Sequence, residues 1–222
     1  ALPISPGVAA VLLTGAGRGF CAGQDLAERD LRDGVPPPDL GDSLDRLYNP
    51  LIRQLRALPK PVVCAVNGIA AGAGASLALA CDLVIASETA YLLMAFKNVG
   101  IPPDGGAVYF LAQHVGVAKA KELVYTARRL PATEAKDLGI VMKVVADADL
   151  EAETQKLAQE IAGSATYALR MAKRMFQSIY TPTLEQLLEI ENLAVCTARL
   201  THDHEEGIKA FKEKRPPKFQ GR

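Results

Sequence analysis

The most constraining stretch of this chain runs from Asn67 to Asp82, Asn-Gly-Ile-Ala-Ala-Gly-Ala-Gly-Ala-Ser-Leu-Ala-Leu-Ala-Cys-Asp, a turn of small residues that passes straight into an apolar helix. It follows a β-branched run at 61–66, which reads as a buried strand. The arrangement has a counterpart upstream, where a similar run at 8–14 leads to Gly19-Phe20-Cys21-Ala22-Gly23-Gln24-Asp25. Glycine and alanine let a ligand approach the main chain closely, and the first N–H groups of a helix have no acceptor inside it. Two such loops suggest two backbone amides aimed at one developing negative charge, such as the oxygen of a thioester enolate. Taken singly, either loop reads equally well as a tight turn.

At 222 residues the chain can bury a full core, as one large domain or one domain with a helical appendage. Apolar residues make up 49% without a run long enough to span a bilayer, so a globular protein away from the membrane is expected. The 25 basic residues balance 25 acidic ones, and the basic stripe of a nucleic-acid binder is missing. Cys21, Cys64, Cys81 and Cys196 show no metal-ligand spacing and read as reduced thiols of a cytoplasmic protein. His202-Asp203-His204 is a weak metal signal, because residues two apart on a helix point to different faces. The first residues lack both the pattern of a signal peptide and an initiator methionine, so the chain is expected to start part-way into its gene product.

Residues 32–42 contain three successive prolines and read as a surface loop. An amphipathic helix is expected next, with Leu44, Leu47, Tyr48, Leu51, Ile52, Leu55 and Leu58 on one stripe, Ser43 as its cap and Pro50 near its start. Strands at 61–66, 82–86 and 91–94 alternate with helix, which predicts a largely parallel, right-handed arrangement. Asp104 stands just before a helix starting near Gly106, where the plainest reading makes it an N-cap. Helices at 118–127 and 133–138 and a strand at 140–145 complete the core. From Asp149 onward the pattern is helical, broken near Gly163 and at Thr181-Pro182.

Three segments carry a resemblance: Gly19-Phe-Cys-Ala-Gly-Gln-Asp-Leu26, Lys60-Pro-Val-Val-Cys-Ala-Val-Asn-Gly68, and Glu206-Gly…Ala210-Phe…Lys214-Arg-Pro-Pro-Lys-Phe219. Together they resemble the crotonase family, the enoyl-CoA hydratases and isomerases, over essentially the whole chain. The resemblance implies an α/β fold with a ββα spiral core at 1–163, holding CoA and the active site in two roughly perpendicular sheets. A C-terminal helical region at 164–222 would make trimers, paired into hexamers. The substrate would be an acyl-CoA, with no separate cofactor and no metal, because coenzyme A is part of the substrate. Family members usually begin with a further strand–strand–helix unit that helps hold CoA, and this sequence has none of it.

The family's oxyanion donors map onto the amides of Ala22 and Ala73, in loops that include Gly23 and Gly72. Its hydratases use two glutamates, at positions matched here by Ser76 and Phe96. Hydration needs one group to activate water and another to deliver a proton, so the loss of both favours an isomerase. Ser76 then reads as pocket lining or a turn cap. Asp104 falls where the family's single-carboxylate isomerases carry their base. Gln24-Asp25-Leu26, Tyr48-Asn-Pro-Leu51, Met94-Ala-Phe96 and Pro103-Asp104 resemble the segments of members that rearrange a ring-epoxide thioester in phenylacetate breakdown. A Δ3,Δ2-enoyl-CoA isomerase or hydratase-like enzyme of fatty-acid oxidation is the alternative within the class, and a non-catalytic CoA-binding or assembly subunit the alternative outside it. The resemblance also implies CoA contacts along Gln24, Asp25 and Leu26, at Arg18, and at Phe211 with Lys214, the last pair often from a neighbouring subunit.

Overall fold

A computed structural model describes residues 7–25, 40–179 and 201–222. In chain order its elements are β1 (Val11–Thr14), α1 (Leu40–Ser43), a π-helical turn (Leu44–Tyr48), α2 (Asn49–Ala57), β2 (Val62–Val66), β3 (Ile69–Ala71) and α3 (Ala73–Ala80). There follow β4 (Leu83–Ser87), β5 (Tyr91–Leu93), a 3-10 turn (Ala95–Val99), α4 (Ala107–Thr126), β6 (Arg129–Pro131), α5 (Ala132–Asp137) and β7 (Lys143–Val145). A second 3-10 turn (Asp147–Asp149), α6 (Leu150–Ala162), α7 (Thr166–Ser178) and α8 (His202–Glu213) complete the described chain. It divides into two compact units, one drawn from residues 12–56 and 63–154, the other from the remainder. Among the described residues no helix is long and apolar enough to cross a membrane.

The larger unit is built on two sheets, ordered β1-β2-β4-β7 and β3-β5-β6. β2 runs parallel to β4 with Val63 opposite Leu83, and β4 runs parallel to β7 with Ile85 opposite Lys143. Both middle strands are buried along almost their full length, which explains their unbroken apolar sequences Val-Val-Cys-Ala-Val and Leu-Val-Ile-Ala. In the second sheet β5 is parallel to β3 and antiparallel to β6. The chain thus visits the first sheet, then the second, then a helix: β2-β3-α3, followed by β4-β5-α4. This ββα repeat places the start of α3 directly after β3, while the 3-10 turn and residues 100–106 stand between β5 and α4.

In the smaller unit, Asp203 is buried and accepts the backbone N–H groups of Gln220 (2.6 Å) and Gly221 (2.7 Å), fastening the C-terminus to α8. Glu206 accepts both arms of Arg215 at 2.7 and 3.0 Å and the Lys218 N–H at 2.7 Å. The guanidinium, then the amide, hold its carboxyl down to about 2. Of the His202-Asp203-His204 triplet, only the central carboxylate turns inward, while both histidines are exposed.

Several local expectations are corrected. Residues 40–42 are helical rather than loop, and Ser43 has helical backbone angles and caps nothing. Asn49 N–H donates to Leu44 O, a bond five residues back, just before Pro50, which has no N–H to give and whose ring needs room. The extra residue in that turn rotates the stripe, so Leu47 and Leu51 are 66% and 42% exposed instead of buried. β3 and β6 were not foreseen, and the strand expected at 140–145 is confined to Lys143–Val145. The expected separation of two helices within 106–127 is present as non-helical Gly116 inside α4. The break expected at Thr181-Pro182 lies outside the described residues.

Candidate active site

The loop after β1 and the start of α3 lie against each other through backbone contacts. Phe20 and Cys21 N–H both donate to Ile69 O at 3.0 Å, and Ala71 N–H donates to Cys21 O at 2.9 Å. A methyl carbon at Gly74 would lie 2.1 Å from Cys21 O, so only glycine permits this approach. One built at Gly23 would lie 3.0 Å from Ala71 O and 3.7 Å from Ala73 N, which brings the Ala22-Gly23 backbone beside the first residue of α3. Gly72 makes the turn from β3 into α3 at φ 52, ψ −122, a conformation that L-residues with a side chain rarely adopt. Among the described residues neither the Ala22 nor the Ala73 N–H has an acceptor.

Both alanines face a cleft of about 500 Å³ whose wall also includes Gln24, Tyr48, Phe96, Ile101 and Asp104. An adjoining space of about 590 Å³ shares Gln24, Tyr48, Ile101 and Asp104 and adds Leu44, Pro102 and Pro103. Among the described residues of both walls, Tyr48 and Asp104 are the only titratable side chains. Asp104 does not cap α4: that position belongs to Gly106 in the left-handed region, with no side-chain cap. Instead the Asp104 backbone carbonyl accepts Ala107 N–H at 3.0 Å and Ser76 Oγ–H at 3.0 Å, and the carboxylate Oδ1 is shut off from solvent. Asp104 therefore lines the cleft without being the helix cap.

A family model described as enoyl-CoA hydratase/isomerase matches residues 3–222. The chain belongs to the enoyl-CoA hydratase/isomerase family. It is 46% identical over 212 residues to 1,2-epoxyphenylacetyl-CoA isomerase of Escherichia coli (strain K12), covering 96% of this chain and 81% of that protein. The crystal structure of an enoyl-CoA hydratase from Bacillus anthracis superposes with a TM-score of 0.89 at 39% identity, covering 96% of this chain and 82% of that one. An enoyl-CoA hydratase from Polaromonas sp. JS666 gives 0.84 at 34% identity, covering 95% and 82%. The ββα repeat is therefore that of the crotonase fold, and the protein is an enzyme of acyl-CoA thioester chemistry.

Of the residues singled out in the sequence of this family member, Ala22, Gly23, Gln24, Gly72, Ala73, Phe96 and Asp104 meet on the one cleft. Asp25 is exposed beside it and Arg18 is exposed on the loop before it, and neither is in the walls. Ser76 is completely buried and belongs to neither wall. Leu26 lies outside the described residues, as does the Phe211 side chain, while Lys214 follows α8 in the other unit, exposed and at φ 53. Sequence reasoning missed Tyr48, which it spent on an apolar stripe. The available signal was Pro50 two residues on, which disturbs the helix and rotates that stripe.

Proposed function

We propose that this enzyme is a cofactor-independent acyl-CoA isomerase in which Asp104 moves a proton between two carbons of the acyl group. The amides of Ala22 and Ala73 would hold the thioester oxygen while it carries the negative charge. The observation that carries this reading is that, among the described residues, one carboxylate lines the same cleft as two residues whose N–H groups have no acceptor. For a 3-enoyl thioester, the Asp104 carboxylate takes the proton from C2 and the electron pair spreads to the thioester oxygen and C4. The same carboxyl then returns the proton at C4, leaving the double bond between C2 and C3. One carboxylate is enough for this shuttle, whereas adding water requires a second acid–base group, and Ser76 and Phe96 supply none.

Within that reaction class we favour the ring epoxide of phenylacetyl-CoA as substrate. The support is the 46% identity to a protein named for that isomerisation. Here the proton leaves the carbon beside the thioester and is returned to the ring, as the bond between the two epoxide carbons opens to a seven-membered oxepin. The test is to incubate the enzyme separately with the epoxide and with a 3-enoyl thioester and to identify the products by mass and absorbance. A conjugated isomer of unchanged mass supports the reading, with faster turnover of the epoxide supporting the substrate. A product heavier by one water, formed as fast as the isomer, would overturn it.

A further inference from the structure

We propose that Ser76 is a positioning residue for Asp104, an inference that rests on the isomerase reading above. Ser76 lies one turn into α3, whose first residue is Ala73, and its side chain has no exposed surface. Its Oγ is 3.0 Å from the Asp104 carbonyl and 3.4 Å from the Gly72 carbonyl of its own helix. A hydroxyl has one proton to donate, and the shorter contact is the better hydrogen bond, so the hydroxyl serves the Asp104 segment. The same carbonyl is held from the other side by Ala107 N–H at 3.0 Å. The contact is close-fitting, since a methyl carbon at Gly105 would come within 3.0 Å of Ser76 Cβ.

One rigid helix thus fixes two things at once. Its first amide, from Ala73, faces the cleft, and one turn later its serine grips the backbone that carries the cleft's carboxylate. A 1,3-proton shift demands that spacing, because the carboxylate must reach C2 and C4 while the thioester oxygen stays on the amides. A misplacement of roughly 1 Å can cost about 10²-fold in rate. The serine bonds the main chain and not the carboxylate, so it sets where the base sits and leaves its proton to the substrate.

The test compares kcat and KM in the full-length enzyme for Ser76→Ala, Ser76→Thr, Asp104→Asn, and Ser76→Ala with Asp104→Asn combined. Ser76→Ala is expected to lower kcat by roughly 10- to 100-fold with KM changed by less than about threefold. Threonine keeps a hydroxyl that bonds a carbonyl but adds a methyl to a fully buried position, so Ser76→Thr is expected to recover part of the loss. In the Asp104→Asn background Ser76→Ala is expected to cost less than about twofold, because no base remains to be positioned. Turnover of Ser76→Ala within about twofold of the parent overturns the proposal, as does an equal loss in both backgrounds, which is the mark of a merely structural serine. Parent-like turnover of Asp104→Asn alone would instead remove the isomerase reading on which the inference stands. If Ser76→Ala does not fold, Ser76→Cys, a weaker donor of similar size, is measured with the same expectation.

Discussion

Replacing Gly74 by alanine tests whether the two loops are held together as tightly as the backbone contacts imply. The new methyl carbon would stand 2.1 Å from Cys21 O, about 0.9 Å short of the 3.0 Å floor for such contacts. The obstacle is backbone, and Cys21 is tied on both sides, by its N–H to Ile69 O at 3.0 Å and by Ala71 N–H to its own carbonyl at 2.9 Å. Relief therefore means straining those bonds. Overpacking of this kind costs about 1–3 kcal/mol and a weakened hydrogen bond about 1 kcal/mol, so a loss of roughly 2–4 kcal/mol is expected. At this length each kcal/mol lowers Tm by about 2–4 °C, which gives a fall of roughly 4–16 °C by thermal unfolding. Because Ala22 follows Cys21, its amide moves as well, and kcat is expected to fall by about 10²-fold, as when an oxyanion donor is removed. Gly163→Ala is the control, since its methyl would rest 3.5 Å from Gln159 O, an ordinary contact, and stability is expected to hold or rise by up to about 1 kcal/mol. A Gly74→Ala enzyme melting within about 2 °C of the parent, with turnover within about threefold, would refute the reasoning.

Ala127 closes α4 in the left-handed region at φ 46, ψ 39, so Ala127→Gly should stabilise by about 0.5–1 kcal/mol, read as a higher Tm; an unchanged or lower Tm goes against it. His114 is solvent-exposed on α4, and the partial desolvation it still undergoes, the largest cause, with a smaller push from Arg56, lowers its pKa from 6.5. The unfolded chain then takes up the proton first, so stability should be full above pH 6.5 and fall as pH drops below it, levelling off below the folded-state value. Urea midpoints measured from neutral pH downward should show that slope in the parent and lose much of it in His114→Gln. Exposed apolar side chains such as Val117, Tyr125, Phe176 and Ile179 call for burial, and light scattering at micromolar concentration should find trimers or hexamers rather than monomers.

The parts of the fold legible in the sequence were those set by local chemistry. The β-branched run ending at Val66 and the run Leu83 to Ala86 had to be strands covered on both faces, and both are. The expected division of residues 106–127 into two helices falls at Gly116, at φ 74, and the expected helix at 133–138 ends before Gly139, at φ 78. What escaped was set by distant partners. Ile69-Ala70-Ala71 looks like the start of a turn, and becomes a strand only because Tyr91 to Leu93 pairs with it and Cys21 bridges to Ala70. The stripe through Leu47 and Leu51 obeyed a 3.6-residue period that the π turn before Pro50 breaks. In the site, the alanine amides and Asp104 were legible through the resemblance to known family members, the glycine-rich loops by themselves suggesting only that two amides converge. The buried bond of Ser76 to Asp104 was not legible, since it depends on how two elements far apart in the chain meet.

The most direct test of the proposed chemistry is the kcat of Asp104→Asn. Asparagine keeps the backbone carbonyl that Ser76 and Ala107 grip, and the helix cap belongs to Gly106, so the substitution removes the base while leaving its anchors in place. With folding and CoA-thioester affinity verified, kcat for the ring-epoxide and 3-enoyl thioesters should fall by about 10²–10⁴-fold, the range for a positioned general base, with KM little changed. Turnover within about threefold of the parent would contradict the assignment of Asp104 as the proton carrier.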